Sequence, residues 1–188
     1  TWTALFAGVL ATTSLPPVRG TAPLMLAALM LLFHLLRTAD RPGRTAWWFA
    51  LAHQATLLYW LFFLDPAKSI PTRALVPLQA VATIFFCATH YLLMGWVAGK
   101  LRSRSTAPAA TPAGPPGRAA TELLRTVGEM GFPWCLSGAV WLDTPLAGLY
   151  AASGEIGVGA ATGLTAAALL GLVDLARGAA AGRDRGLR

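Results

Sequence analysis

The residues of this chain best suited to chemistry lie between positions 121 and 155. Glu122 and Arg125 are three residues apart, so on a helix they share one face and can form an ion pair. A turn of glycine, proline and aromatic residues follows, Gly131-Phe132-Pro133-Trp134. A charge in the bilayer interior is costly, so we expect Glu122 and Arg125 either to face protein or to lie in a half-immersed helix. Glu155 is expected at the lipid headgroup level or facing a cavity.

Three histidines form a second group of candidates. His34, His53 and His90 each lie in a different apolar run. A histidine inside a membrane helix could be an axial ligand to a haem or a chlorophyll-type pigment, or part of a proton path. The simpler alternative is that each one hydrogen-bonds to a neighbouring helix. No two of them show ligand spacing within one helix, so we expect no required cofactor.

The chain has two cysteines, Cys87 and Cys135. Cys87 lies within an apolar run, where a thiol behaves as a small hydrophobic group. Cys135 follows Trp134, and a purely structural role is a weaker interpretation for it than for Cys87. The sequence around them offers few acids or lysines, so we predict no cysteine-based catalytic triad.

Composition indicates the environment of the chain. Of its 188 residues, 55% are hydrophobic and 12% are charged, about half the charged fraction of a soluble domain. Five runs contain no Asp, Glu, Lys or Arg, namely 1–18, 20–36, 45–64, 74–99 and 156–173. Each approaches the ~20 residues that a helix needs to cross a bilayer. An all-α integral membrane protein is therefore predicted, and a nucleic-acid partner is not.

The distribution of basic residues predicts the orientation. They gather after the second and fourth runs and at the C-terminus, and basic loops remain on the cytoplasmic side. We expect about six transmembrane helices with both termini cytoplasmic. Residues 1–101 would form the first four helices, and 102–118 a Pro-, Ala- and Gly-rich cytoplasmic linker. Residues 119–188 would supply two crossings, an external bend and a basic tail.

Residues 121–175 resemble the membrane domain of apolipoprotein N-acyltransferase, the enzyme that adds the third acyl chain to bacterial lipoproteins. The residues that carry the resemblance are Thr121-Glu122-x-Leu124-Arg125, Gly131-Phe132-Pro133-Trp134, Gly138, Asp143-x-Pro145-Leu146-x-Gly148-Leu149 and Gly154. Upstream, Leu15-Pro16-Pro17, Trp60 and the segment 91–101 match more weakly. The resemblance implies the bacterial inner membrane and a lipid-facing groove on the side from Glu122 to Gly159, with bound phospholipid possible.

In that family, catalysis belongs to a nitrilase-like domain outside the membrane with a Glu-Lys-Cys triad. The sequence as given stops at Arg188, after the helix that the resemblance counts as the sixth. We therefore expect no catalytic residues and a non-catalytic accessory subunit that contacts lipids and other membrane subunits. Two alternatives stay open: the membrane half of a split acyltransferase with a separate nitrilase-like chain, or a histidine-ligated haem or pigment protein.

Overall fold

The computed structural model of the protein describes residues 1–64, 72–104, 114–127, 131–134 and 136–186. All regular secondary structure in these residues is helical. Cys135 and residues 105–113, the centre of the predicted linker, lie outside the described residues. The six α-helices are α1 (Trp2–Thr13), α2 (Pro23–Thr38), α3 (Pro42–Leu57), α4 (Val76–Arg104), α5 (Pro115–Thr126) and α6 (Tyr150–Gly186).

Short 3-10 helices connect the longer ones at one end of the bundle. They are Tyr59–Phe63, Arg73–Leu75, Ser137–Trp141 and Pro145–Leu149. Proline begins α2, α3 and α5, where its missing N–H costs nothing because the first helical amides have no partner within the helix. The predicted linker is shorter than expected, because α4 continues to Arg104 and α5 already begins at Pro115.

The helical fold class is confirmed, whereas the number of crossings stays a prediction. Among the described residues, two stretches are long and apolar enough to span a membrane, Arg73–Ser103 and Pro145–Ala179. Trp2–Thr13 and Pro23–Thr38 are apolar but shorter. A helix rises about 1.5 Å per residue, so α1 alone is too short to cross a hydrocarbon core of about 30 Å.

Helix α3 lies at the centre of the bundle and packs most extensively against α4 and α1. Its buried face carries Ala46, Phe49 and Ala50. Helix α6 packs against α2 and α5, and α5 also contacts α4. One apolar cluster therefore joins α1, α2, α3, α4 and α6, whereas α5 contacts both long helices through a polar face.

The last helix is interrupted near its start. Gly154 has φ 64° and ψ 177°, which is a conformation that glycine adopts readily and other residues rarely do. The break lies directly before Glu155. Because the chain changes direction there, Tyr150 and Glu155 lie beside the connecting segment 136–141.

Replacing Gly95 with alanine should destabilise the bundle. A Cβ at this position would lie 2.6 Å from the Pro42 carbonyl oxygen and 2.8 Å from Gly43 Cα, so α3 and α4 would have to move apart. Overpacking of this kind costs about 1–3 kcal/mol. Thermal unfolding of the purified protein in mild detergent measures the change.

The matched control for that variant is Gly171→Ala on α6, where nothing lies within 4 Å of the added Cβ. It should be neutral or slightly stabilising, because alanine has the higher helix propensity. Equal melting temperatures for the two variants would contradict the close approach of α3 and α4.

Candidate functional site

Helix α5 has its charged face turned inward and its apolar face turned outward. Arg118, Glu122 and Arg125 are 3%, 1% and 1% exposed. Their spacing of four and three residues places them on one face of the helix. On the opposite face, Leu123 and Leu124 are 51% and 54% exposed. This is the reverse of a soluble amphipathic helix and agrees with lipid on the outer side. Of the two alternatives for Glu122 and Arg125, the structure supports the one in which they face protein.

The Glu122 carboxylate lies at the centre of the buried cluster. Its Oε1 atom accepts a hydrogen bond from the Ser137 backbone N–H at 3.0 Å and forms an ion pair with Arg118 Nη2 at 3.1 Å. Arg118 Nη1 also donates to Ser137 Oγ. These three residues close a ring of contacts that fixes the segment after the bend against α5.

Arg118 is the residue that sequence reasoning missed. The preceding prolines and glycines favoured a cytoplasmic linker, and the expected partner of Glu122 was Arg125. The ion pair in the structure is instead with Arg118, four residues earlier on the same helix. Arg118 is also close enough to Tyr91 on α4 for the two side chains to interact. The i, i+4 spacing of Arg118 and Glu122, together with proline at a helix start, is the signal that could have identified it.

Arg125 holds the Gly-Phe-Pro-Trp bend through both its backbone and its side chain. Its carbonyl oxygen accepts from the Phe132 N–H at 2.6 Å. Its Nη2 atom donates to the Trp134 carbonyl oxygen at 3.1 Å. The same guanidinium interacts with the Cys87 thiol on α4. Arg125 therefore attaches both aromatic residues of the bend, Phe132 and Trp134, to α5.

The aromatic side chains of the bend pack at the end of α4 where that helix begins. Phe132 contacts a small apolar cluster consisting of Leu58, Leu61, Ala80, Ile84 and Cys87. The Trp134 ring lies 5.4 Å from the Trp60 ring, centroid to centroid, and is 55% exposed. Gly131 is half-buried and Pro133 is exposed. The bend is thus a partly exposed aromatic surface rather than the wall of an enclosed cavity.

Helix α6 completes the cluster from the other side. A Cβ on Gly159 would lie 2.9 Å from Glu122 Oε2 and 2.8 Å from Ser137 Oγ, so only glycine allows this approach. The Tyr150 hydroxyl donates to the Gly138 carbonyl oxygen. Glu155 is half-buried, packs against Gly138 and is close enough to Glu122 for their charges to interact. Glu155 therefore lies beside the cluster, and its position at the headgroup level or facing a cavity stays a prediction.

Comparison with known protein families agrees with this architecture. The family model described as apolipoprotein N-acyltransferase N-terminal domain matches residues 7–168. The chain belongs to this family. A search of curated proteins finds no match. The family is membrane-associated, which supports a membrane protein. The match begins at residue 7, so it also covers the part of the chain before residue 121, where the resemblance seen in the sequence is weaker.

Two residues of the acyltransferase-family string, Glu122 and Arg125, belong to the cluster together with Arg118 and Ser137, which lie outside that string. Two guanidinium groups, Arg118 and Arg125, are buried together with the carboxylate of Glu122, and the half-buried Glu155 brings the formal charges into balance. Such a set is stable in apolar surroundings only when its members neutralise one another. Because these groups are buried among protein atoms, they fix the positions of α5 and the segment after the bend.

The histidines lie on three different helices, and His53 is close enough to Arg118 and Arg125 to interact with their charges. His53 is 2% exposed, and its Nδ1 atom is 2.9 Å from Thr12 Oγ1 on α1. His90 Nδ1 is 3.0 Å from the Phe86 carbonyl oxygen in its own helix, and His34 is half-buried on α2. Among the described residues, no three His, Cys, Asp or Glu side chains are grouped as metal ligands. Axial ligation of a haem or pigment by a single histidine stays an untested prediction.

Glu122→Gln should strongly destabilise this acyltransferase-family bundle. The substitution keeps the shape of the side chain but removes the carboxylate that pairs with the buried guanidinium of Arg118. Removing one partner of a buried ion pair costs about 3–5 kcal/mol. Thermal or chemical unfolding in detergent measures the loss.

The control for that experiment is Asp174→Asn. It breaks the ion pair between Arg37 Nη2 and Asp174 Oδ2, which is 2.8 Å long and partly exposed. Exposed pairs contribute about 0–1 kcal/mol. If Glu122→Gln were no more destabilising than Asp174→Asn, the buried cluster would not be the main polar support of the fold.

Proposed function

We propose that this chain is a non-catalytic membrane subunit that binds phospholipid and docks other membrane proteins in the bacterial inner membrane. The observation that carries the proposal is the internal pairing of Glu122 with Arg118 and Ser137. Glu122 Oε1 thus holds α5 to the segment after the bend, while Glu122 Oε2 is buried against Gly159 of α6 without a hydrogen-bond partner among the described residues. A catalytic acid or base would instead need to reach a bound substrate.

The accessible surface supports contact with lipid and with other helices. Large apolar side chains are exposed along both long helices, including Leu78, Val81, Phe85, Leu92 and Leu93 on α4 and Leu164, Leu169, Leu172 and Leu175 on α6. Apolar surface of this extent in a soluble monomer would mark an interface. In a bilayer it is the surface that acyl chains and neighbouring helices cover.

The position of Cys87 argues against acyl transfer by this bundle. Its side chain is 0% exposed and belongs to the apolar cluster beneath Phe132. A cysteine nucleophile must form a thiolate and meet its substrate. Cys87 does not meet the second condition, because it is fully buried and a substrate cannot reach it, although the Arg125 guanidinium lies beside the thiol. Its role is that of a small hydrophobic residue.

A second candidate function is the membrane half of an acyltransferase that acts with a separate nitrilase-like chain. The partly exposed aromatic surface formed by Trp60, Phe132 and Trp134 favours it. Aromatic residues anchored by rigid packing are typical of protein interfaces. Arg125 holds this surface in place, so a catalytic domain could dock on it without ordering the bend first.

Acyl transfer assays separate these functions. The purified chain, mixed with phospholipid and a diacylated lipopeptide, should yield no N-acylated peptide by mass spectrometry. Cys87→Ser and Cys135→Ser should leave that result unchanged. An N-acylated product that disappears in either serine variant would contradict the proposal, because the nucleophile would then belong to this chain.

The same assay, repeated with an added nitrilase-like chain, tests the second candidate. Product that requires both chains and is lost in Trp134→Ala would establish the split enzyme and remove the accessory role. Phe63→Ala is a suitable control, because Phe63 is 80% exposed at the same end of the bundle but contacts Tyr59 rather than the bend.

A further inference from the structure

A large groove lies between the start of α3 and the second half of α4. Its volume is about 810 Å³, and it is open to the surface. Ligand pockets in proteins span about 300–1,000 Å³. One wall is apolar and consists of Leu92, Leu93 and Trp96, which are 41%, 50% and 56% exposed. This wall runs along the outer side of α4, where lipid would lie.

The rim of the groove is strongly basic. Arg41, Arg44 and Lys100 are exposed there, and Asp40 is the one acid among the lining residues. Within the described part of the chain, neither of the two ion pairs involves these three basic residues. The Lys100 ammonium group lies 5.7 Å from the centroid of the Trp96 ring, so the basic rim and the apolar wall are adjacent at Trp96.

Arg102 differs from the other basic residues of the rim. Its Nη1 atom donates to the carbonyl oxygens of Leu36 and Arg37 at 3.1 Å and 2.8 Å, and Nη2 donates to Ala39 at 2.9 Å. It therefore neutralises the carboxyl end of α2 and fixes α4 beside it. Arg41, Arg44 and Lys100 are the cations left to face a ligand.

The basic rim of the groove is remote from the aromatic bend. The α4 residues in the cluster beneath the bend are Ala80, Ile84 and Cys87, and the groove extends from Thr89 to Ser103. Thirteen residues separate Cys87 from Lys100, and a helix rises about 1.5 Å per residue, so about 20 Å lies between these points. The basic rim is therefore at the other end of the bundle, where the basic loops predict the cytoplasmic side.

We propose that the groove binds one anionic phospholipid, with its phosphate among Arg41, Arg44 and Lys100 and one acyl chain along Leu92, Leu93 and Trp96. The charge complementarity selects an anionic headgroup, and the adjoining apolar wall selects a molecule that also carries a hydrocarbon chain. Helix α3, which begins at the rim without an acidic residue or a side-chain cap, adds a favourable dipole. The proposal rests on the membrane location given above, but not on the absence of catalysis.

The test uses the full chain in mild detergent with equal amounts of phosphatidylglycerol and phosphatidylcholine. Native mass spectrometry counts the lipids retained by each variant. The wild type should retain one phosphatidylglycerol in preference to phosphatidylcholine. The triple variant Arg41→Gln/Arg44→Gln/Lys100→Gln should lose this preference by about tenfold or more, because basic residues at a lipid surface each contribute measurably to binding an anionic headgroup.

The control is Arg19→Gln/Arg73→Gln, which removes two exposed basic residues outside the groove and should keep the preference. Unfolding temperatures of both variants establish that they fold. An unchanged preference in the triple variant, or an equal loss in the control, would overturn the proposal. Displacement of the lipid by soluble glycerol phosphate would also overturn it, because the site would then bind a free phosphate. Acyl transfer by the chain would refute the proposed function while leaving this result intact.

Discussion

The buried ion pair between Arg118 and Glu122 is the interaction on which the rest of the structure depends. Charges in an apolar bundle must be neutralised inside it. Because Glu122 accepts from the Ser137 backbone and Gly159 packs against its carboxylate, α5, the connecting segment and α6 meet at one point. The exposed leucines of α5 follow from the same constraint, since its polar face is turned inward.

This arrangement explains why the family signature does not have to be an active site. The carbonyl oxygen and the guanidinium of Arg125 hydrogen-bond to the backbone of Phe132 and Trp134, so this motif residue supports the bend. The two ends of the bundle have different surfaces. One carries the aromatic bend, and the other carries exposed basic side chains above an apolar groove, so the proposed protein and lipid partners would bind at separate places.

The sequence predicted the helical fold class and the family, because long uncharged runs and the string from Gly131 to Trp134 are local features. It did not predict the partner of Glu122. Arg118 follows a stretch rich in proline and glycine that is typical of a linker, and only the fold shows the helix starting at Pro115. The contact between His53 and Thr12, 41 residues apart, likewise depends on helix packing that periodicity cannot specify.

The most direct test of this account is hydrogen–deuterium exchange of the Glu122→Gln variant in detergent, at a temperature where it remains folded. If the ion pair positions the connecting segment, amides in 131–141 should exchange faster than in the wild type, while those in α1 and α3 should be unchanged. Equal exchange throughout the two proteins, or a uniform increase in every helix, would contradict the claim that Glu122 holds this segment in place.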